Sequence, residues 1–358
     1  MIPIFQPSIC REAKDLAIKA IESGDVALGP NIKQFENEFS QYCGRQYGVT
    51  CSNGTAALYL AIKALNLPAG SEIIVPSMTI LSCLTAIKEN NYIPVFCDID
   101  PITYNVDFNS MQSKVTENTS AVIIINTYGL LVDTDKLSDF KIKNPTIKII
   151  EDASESHGAF HKDKRAGQLG DISIFSFYTN KIVTTGEGGM VLTDDSDVND
   201  RLLMLRNLNF IDRKKYIHSD VGFNFRLTNV QCAVGLGQLR NIDETIQHRK
   251  RVAYEYKKHL EHHSSIQIPF ENENYSNVYW YYGIRVKSNY KKVLQSLTTN
   301  SIDYRHFFYP LHKQPFVNSA EILKNSEESF DTGILLPIFN QLTSAEIQFI
   351  SQTILKEL

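Results

Sequence analysis

Short apolar runs alternate with longer amphipathic stretches over the first two thirds of the chain. Seven runs have the length and residue types of β-strands, and residues 122–125 and 147–150 are almost wholly apolar. Strands of this kind are typical of sheets that are covered on both faces. The predicted strands are Tyr47–Cys51, Glu72–Val75, Ile93–Cys97, Ala121–Asn126, Ile147–Ile150, Ile172–Phe177 and Met190–Thr193.

Helical patterns lie between these strands. One helix is predicted to begin at Thr55, because apolar residues recur at helical spacing from Leu58 to Leu65. A second is predicted at about residues 79–90, before Pro94. The alternation predicts an α/β fold with a mostly parallel sheet and helices on both faces.

The pattern changes after about residue 230. The remaining chain is predicted to form one or two long helices at 230–263, a strand at 278–286, a helix near 290–299, a loop at 307–315 and a closing helix at 344–358. We therefore expect a large domain over residues 1–235 and a smaller α+β domain over residues 236–358.

Composition and charge narrow the functional classes. The chain carries a net charge of −4, and no basic stripe favours nucleic acid. No apolar run approaches the roughly 20 residues of a membrane span, and the N-terminus lacks the pattern of a signal peptide. The six cysteines are scattered without a CxxC pair, so we expect reduced thiols in a cytoplasmic protein.

The first segment with candidate chemistry is Ser52-Asn53-Gly54-Thr55, where a strand ends and a helix begins. Free N–H groups and a partial positive charge at a helix N-terminus suit a phosphate. A plain helix cap by Ser52 or Thr55 is the alternative interpretation.

The second segment places Glu151 and Asp152 directly after a buried strand. Ligands of open α/β sheets bind at the carboxyl ends of strands. A carboxylate there can pair with a ring nitrogen and keep it protonated, as a pyridine cofactor requires. A cap of the following turn is the alternative.

The third segment delivers Ser176 and, five residues later, Lys181, before a glycine-rich turn. A lysine in a desolvated pocket loses proton affinity and can form a Schiff base. Ser176 could donate a hydrogen bond to a phosphate. Alone, Lys181 would be interpreted as a solvated surface residue, but the other two segments favour a chemical role.

The succession NGTAAL, EDAS, FSFYTNKIVTTGEGG and GFNFRLTN resembles the DegT/DnrJ/EryC1/StrS family of sugar aminotransferases. The segments PIFQP, FENEF and FFYPLHKQP also fit, so the resemblance covers nearly the whole chain. It implies the aspartate-aminotransferase fold (fold type I), pyridoxal 5'-phosphate (PLP) as cofactor, and a homodimer with shared active sites. The version of the motifs found here is most similar to the 4-aminotransferases of the family.

The resemblance also implies an activity, the transfer of an amino group from L-glutamate to C4 of a nucleotide-linked 4-keto-6-deoxyhexose. The nucleotide would be GDP or dTDP, and the product would serve surface polysaccharide or O-antigen synthesis. A C3 sugar aminotransferase and a non-catalytic PLP-binding relative are the alternatives. A dinucleotide-dependent dehydrogenase fits poorly, because no GxGxxG follows an early strand.

Residue roles inside one chain follow from the same resemblance. Lys181 would be the Schiff-base lysine and proton shuttle, and Asp152 would pair with the pyridine nitrogen. Gly54, Thr55 and Ser176 would hold the cofactor phosphate. Family relatives with histidine at the lysine position are dehydratases, so Lys181 implies transamination.

Other roles concern the partner subunit and the substrate. Asn224 would reach the phosphate of the neighbouring subunit's cofactor, and Arg226 could hold a carboxylate or phosphate. Tyr309 and His312 would contact the sugar nucleotide, with a packed loop histidine as the alternative for His312.

Two positions depart from the common family pattern. Ile80 stands where an aromatic residue often covers the cofactor ring. Glu155 stands where many members have Gln or His, and its carboxylate could lie near the ring hydroxyl or on the surface. His157 could be structural or contact the substrate. The histidines at 259, 262 and 263 fit a solvated helix face, and no metal is expected.

Overall fold

The computed structural model describes all 358 residues. The helices are α1 (Arg11–Glu22), α2 (Pro30–Tyr42), α3 (Gly54–Leu65), α4 (Leu81–Glu89), α5 (Phe108–Ser113), α6 (Thr134–Lys143), α7 (Ser196–Arg206), α8 (Asn229–Arg240), α9 (Ile242–Leu260), α10 (Tyr290–Thr299), α11 (Lys324–Thr332) and α12 (Ser344–Leu355). No helix is both long enough and apolar enough to cross a membrane.

The strands alternate with these helices. They are β1 (Tyr47–Cys51), β2 (Glu72–Pro76), β3 (Ile93–Cys97), β4 (Thr119–Ile125), β5 (Lys148–Asp152), β6 (Phe160–His161), β7 (Lys164–Arg165), β8 (Ile172–Ser176), β9 (Gly189–Thr193), β10 (Phe210–Asp212), β11 (Ile217–His218), β12 (Ile266–Gln267), β13 (Tyr275–Ser276), β14 (Tyr282–Val286), β15 (Arg305–His306) and β16 (Gly333–Leu336).

All seven predicted strands lie in one sheet, in the order β1-β9-β8-β5-β4-β2-β3. The neighbours from β8 to β3 pair in parallel, and β9 runs antiparallel to both β8 and β1. The prediction of a mostly parallel sheet is therefore confirmed. The parallel strands end at one edge of the sheet, and this edge carries the site described below.

Alternate residues of the sheet contribute to two different apolar cores. In β4, Val122 and Ile124 belong to a core with Phe39 of α2. Ile123 belongs to a second core with Leu58 of α3. Because successive side chains of a strand point to opposite faces, the sheet is covered on both faces, as the apolar runs predicted.

The last third of the chain forms a second, antiparallel sheet in the order β12-β14-β16-β15. It shares a third core with α9, α10 and α12, and Ile4 from the N-terminal end joins this core. The predicted boundary between residues 235 and 236 falls inside α8, which packs on α1 and α2. The division into two domains stays a prediction.

The strand predicted at residues 278–286 begins later, at Tyr282. Residues 278–281 instead form hydrogen bonds with the loop that follows β4 of the large sheet. The N–H of Val278 donates to the carbonyl of Gly129 at 3.2 Å, and that of Trp280 donates to the carbonyl of Tyr128 at 3.0 Å. These bonds replace the strand ladder, and they bring Trp280 to the site at the edge of the large sheet.

Candidate active site

A cavity of about 840 Å³ opens beside the carboxyl ends of the parallel strands. Its wall combines residues from the large sheet, from α3 and from the second sheet. Six residues predicted from the sequence line it, namely Gly54, Thr55, Asp152, Glu155, Ser176 and Lys181. The fold therefore gathers the three motifs into one place.

The N-terminus of α3 forms one end of the cavity. Asn53 caps the helix, since its side chain accepts a hydrogen bond from Ala56 N at 2.8 Å, and the predicted capping alternatives Ser52 and Thr55 are wrong. The backbone N–H groups of Gly54 and Thr55 have no partner in the protein. Donors left free in this way suit an anion.

Glycine is required at position 54 because of Ser176. A Cβ at Gly54 would lie 2.8 Å from Ser176 Cβ and 3.1 Å from its Oγ, which is too close for unstrained contact. The Ser176 hydroxyl therefore sits directly beside the free N–H groups of α3. Together these donors form a cradle that suits a phosphate.

The two adjacent carboxylates of β5 have different surroundings. Glu151 is fully buried and accepts hydrogen bonds from Asn126 Nδ2 (2.8 Å), Gly167 N (3.0 Å), Leu169 N (2.9 Å) and Ser173 Oγ (2.8 Å). Each of its oxygens therefore has two partners. Glu151 holds the following loop against the sheet and has no capacity left for a ligand.

Asp152 faces the cavity. Its Oδ1 accepts a hydrogen bond from Ser154 N at 3.0 Å, and its Oδ2 has only the thiol of Cys83 at 3.7 Å. The side chain is almost fully buried. A carboxylate with spare acceptor capacity at the floor of a cavity suits a protonated ring nitrogen.

Lys181 follows β8 in a tight turn and is half-buried in the cavity wall, so that the alternative of a solvated surface lysine is wrong. Burial lowers its pKa, while the charges of Glu155 and Asp152 oppose that change. Its Nζ lies 3.7 Å from the ring centroid of Trp280. A lysine with weakened proton affinity is suited to nucleophilic and proton-transfer chemistry.

Glu155 is buried in the same wall, and the alternative of a surface residue is wrong. Its Oε2 accepts a hydrogen bond from Tyr128 N at 2.7 Å. Burial raises the pKa of Glu155 to about 7; Lys181 and the Tyr128 bond oppose the rise, and Asp152 adds to it. Its predicted proximity to a ring hydroxyl stays a prediction. Ile80 also lines the cavity, with 45 % of its surface exposed.

The second sheet supplies wall residues that the sequence motifs do not indicate. Trp280 and Tyr281 come from the segment before β14, and Arg305 and His306 form β15. The available signals were the only tryptophan of the chain, within VYWYY, and a basic pair beside FFYPLH. Neither signal specifies a cavity without the fold.

Four predicted residues do not line this cavity within one chain, namely Asn224, Arg226, Tyr309 and His312. Asn224 is exposed, and Arg226 donates to Asn207 Oδ1 at 2.8 Å. The hydroxyl of Tyr309 donates to the carbonyl of Lys313 at 3.1 Å. The roles of Asn224 and Arg226 at a partner's site, and of Tyr309 in substrate binding, stay predictions.

The predicted substrate contact of His312 is corrected by the structure. Its side chain is fully buried, its Nδ1 lies 2.6 Å from Ser77 Oγ, and its Nε2 lies 3.0 Å from Glu327 Oε1. With both ring nitrogens engaged away from the cavity, His312 is the packed loop histidine of the alternative interpretation. It connects the end of β2 with α11.

The structure also supports the interpretation of His157 as a structural residue. It is buried among the rings of Phe39, Phe175 and Phe177 at centroid distances of 5.1–6.2 Å. Burial, with a contribution from the charge of Lys181, lowers its pKa to about 3. It is therefore a neutral residue of the core beneath the lysine turn.

The fold and the site define a PLP-dependent aminotransferase of fold type I. The chain belongs to the DegT/DnrJ/EryC1/StrS aminotransferase family, whose sequence profile matches residues 7–355. It is 34 % identical to the GDP-perosamine synthase of Escherichia coli O157:H7 over 99 % of this chain and 97 % of that protein.

Two further relatives support this assignment. The dTDP-3-amino-3,6-dideoxy-alpha-D-galactopyranose transaminase of Aneurinibacillus thermoaerophilus is 31 % identical over 96 % of this chain and 94 % of that protein. The crystal structure of S. venezuelae DesV superposes with a TM-score of 0.92 at 27 % identity, over 99 % of this chain and 98 % of that one.

Proposed function

We propose that this protein moves an amino group from L-glutamate to C4 of a GDP- or dTDP-linked 4-keto-6-deoxyhexose. The product would serve surface polysaccharide or O-antigen synthesis. The observation that carries the proposal is that Lys181, the acid Asp152 and the donors at Gly54 and Ser176 line one cavity. The similarity to a GDP-perosamine synthase supports the choice of substrate.

The residues of the cavity fit PLP. The free N–H groups of Gly54 and Thr55 and the hydroxyl of Ser176 would hold its phosphate, Asp152 its ring nitrogen, and Lys181 its aldehyde carbon. When bound, PLP supplies an electron sink through its protonated pyridine ring. The free N–H groups at the start of α3 support this assignment, because they line the same cavity as Ser176, Asp152 and Lys181.

The protein's own part in the reaction is proton transfer and orientation. A lowered pKa gives Lys181 a larger fraction of neutral amine at neutral pH, which allows it to accept a proton from a carbon acid. Asp152 would hold the ring nitrogen of PLP in its protonated form. Glu155, with a pKa of about 7, can keep or release a proton beside Lys181.

Arg305 and His306 lie at the mouth of the same cavity and are both exposed. Arg305 makes no ion pair with any carboxylate of the chain. An unpaired guanidinium at a cavity mouth suits the diphosphate of a nucleotide sugar, because Arg binds phosphate oxygens through two parallel hydrogen bonds.

We further propose that the active enzyme is a homodimer located in the cytoplasm. The segment around β10 and β11 carries the exposed apolar residues Ile211, Tyr216 and Val221, close in sequence to Asn224. A neighbouring subunit would cover these side chains. Asn224 would then complete the partner's cavity, since it does not line its own.

The proposal is tested with purified protein, PLP, L-glutamate and a panel of nucleotide-linked 4-keto sugars, read by mass spectrometry. We expect an amino-sugar product, and we expect Lys181→Ala to lower turnover by at least about 10³-fold because it removes the nucleophile and the proton carrier. Lys164→Ala, at an exposed position, is the matched control. Full activity in Lys181→Ala, or a protein that cannot bind PLP, would contradict the proposal.

A C3 aminotransferase is the second candidate, favoured by the similarity to a transaminase named for a 3-amino sugar. The two candidates share every residue of the proton-transfer machinery. NMR of the purified product identifies the carbon that carries the new nitrogen. An amine at C3 would replace the C4 assignment and leave the chemistry of Lys181 unchanged.

A further inference from the structure

The only tryptophan of the chain lies against the amine of Lys181. The Nζ of Lys181 is 3.7 Å from the ring centroid of Trp280. The indole Nε1 of Trp280 also donates a hydrogen bond to the carbonyl of Asn180 at 3.1 Å. One side chain therefore fixes both the backbone of the lysine turn and the end of the lysine side chain.

A second contact joins the neighbouring residues Asn180 and Tyr281. Asn180 Nδ2 donates to the hydroxyl of Tyr281 at 3.2 Å. Asn180 and Lys181 follow β8 of the large sheet, whereas Trp280 and Tyr281 precede β14 of the second sheet. Two consecutive residues beyond a strand of the large sheet are thus in contact with two consecutive residues that precede a strand of the second sheet.

Trp280 is itself fixed by a buried arginine. Arg249 of α9 is 95 % buried and donates from Nη1 to the carbonyls of Trp280 (3.2 Å) and Ile338 (2.7 Å). It pairs with no carboxylate, and burial lowers its pKa to about 10. Burial of a cation that binds only backbone carbonyls costs free energy. We therefore infer that Arg249 serves to fix the positions of these two carbonyls.

A small polar cavity of about 20 Å³ lies between these groups and is lined by Arg249, Asn180 and Lys181. Arg249 Nε and Asn180 Oδ1 are buried and have no partner. A hollow of this volume can hold one water molecule. A water there would join an unpaired donor to an unpaired acceptor and complete the link from Arg249 to the lysine turn.

We propose that Trp280 is a positioning residue for the free amine of Lys181 and that Arg249 positions Trp280. The inference rests on the proposed function, in which Lys181 is the reactive amine. A carboxylate partner would hold the amine as an ammonium ion through a strong hydrogen bond. The ring face attracts the ammonium ion more weakly and accepts no such bond, so it orients the amine and leaves its proton exchangeable.

The charged groups that face this amine are Asp152 and Glu155, and Tyr281 lies beside the indole ring. His157 beneath the turn is neutral, because its pKa is lowered to about 3. We therefore expect the fluorescence of Trp280 to change when Lys181 titrates and also when Glu155 titrates. Substitution of each residue separates the two contributions to the fluorescence change.

The first test uses the fluorescence of Trp280 in the full chain without PLP, titrated from about pH 6 to 11. We expect an emission change that Lys181→Met removes and that Glu155→Gln moves to lower pH, because Glu155 favours the charged amine. We also expect Arg249→Lys to retain the change and Arg249→Met to weaken it. An identical titration in wild type and Lys181→Met would overturn the proposal, whatever the enzyme's activity.

The second test separates kcat from KM in the PLP-loaded enzyme. We expect Trp280→Leu to lower kcat about 3- to 30-fold, the loss of one cation–π contact, with KM for the nucleotide sugar changed less than about 2-fold. Trp280→Phe, which keeps an aromatic face, should retain more of kcat. Tyr254→Leu, at an exposed aromatic residue of α9, is the matched control.

The same Trp280 variants can also contradict the proposed positioning role. Unchanged kcat in both Trp280 variants would overturn the positioning role, and so would a loss in Trp280→Phe as large as in Trp280→Leu. If Trp280→Leu does not fold, the kcat of Trp280→Phe and the fluorescence titration test the positioning role instead. A failure of the proposed function would appear instead as activity that persists without Lys181.

Discussion

Glu155 and Lys181 share the buried wall of the cavity, and each opposes the effect of burial on the other's pKa. Burial alone favours the neutral form of both side chains. The carboxylate and ammonium forms attract each other, so the pair can exchange a proton without placing an isolated charge in the wall. This arrangement suits a site in which a proton must leave and return.

Glu155→Gln tests this pair through the pH dependence of stability. The pKa of Glu155 is raised from 4.5 to about 7 in the fold. The folded state therefore holds a proton that the unfolded chain has lost, and the free energy of unfolding falls as pH rises from about 4.5 to 7. The Glu155 contribution to that fall is up to about 3 kcal/mol.

The measurement is urea unfolding of the PLP-free protein between pH 4.5 and 7.5. We expect Glu155→Gln to show a flatter pH dependence than wild type, because its amide does not titrate. Glu273→Gln, at an exposed position, serves as the control. Parallel curves for wild type and Glu155→Gln would show that Glu155 titrates alike in both states.

At the scale of elements, the approach of α3 to β8 creates the phosphate cradle. Gly54→Ala would place a Cβ 2.8 Å from Ser176 Cβ and force the helix and strand apart. We expect the dissociation constant of PLP, measured by absorbance titration, to rise at least about 10-fold, because the donors no longer converge on the phosphate.

The control for this prediction lies on the same strand. Ser173→Ala removes a hydroxyl that binds Glu151 and does not line the cavity. It should lower stability by about 1 kcal/mol and leave PLP affinity unchanged. Equal affinities for PLP in Gly54→Ala and wild type would exclude α3 as the phosphate site.

His312 is a second link between elements, since it joins Ser77 after β2 to Glu327 in α11. We expect His312→Ala to lower the free energy of unfolding by about 2–4 kcal/mol, because it leaves a cavity and removes the ring partner of the buried Ser77 hydroxyl. Urea unfolding measures this loss. Normal stability together with a raised KM for the nucleotide sugar would instead support a substrate contact.

At the scale of the whole molecule, a shared active site can be tested by mixing defective subunits. Lys181→Ala removes the lysine, and Asn224→Asp places a negative charge where a partner's phosphate is proposed. If Asn224 completes the partner's site, a heterodimer of the two variants has one intact site and one doubly defective site. Dimers purified through both tags are all heterodimers of this kind, so they should show about half of wild-type activity.

Activity is measured after both variants are co-expressed and purified through two different tags. Co-expression of two differently tagged Lys181→Ala chains is the control and should stay inactive. If each site is built from one chain, every site in the mixture carries a defect. The absence of any recovery would therefore contradict the proposed dimer.

The sequence by itself determined much of the fold and the chemistry of the site. Alternating apolar runs predicted all seven strands of the large sheet within about two residues. The positions of Gly54, Asp152, Ser176 and Lys181 indicated candidate site residues, and the resemblance of their motifs to a family of sugar aminotransferases implied PLP. These signals are local, because they depend on side-chain chemistry and on the period of one element.

Tertiary structure alone decided what each polar side chain can reach. Glu151 and Asp152 are adjacent in sequence, yet four hydrogen bonds occupy the first, and the second faces the cavity. Trp280 gained its position beside Lys181 only because the second sheet folds against the first. Contacts between residues one hundred positions apart depend on packing and on the satisfaction of buried polar groups, which no local pattern in the sequence encodes.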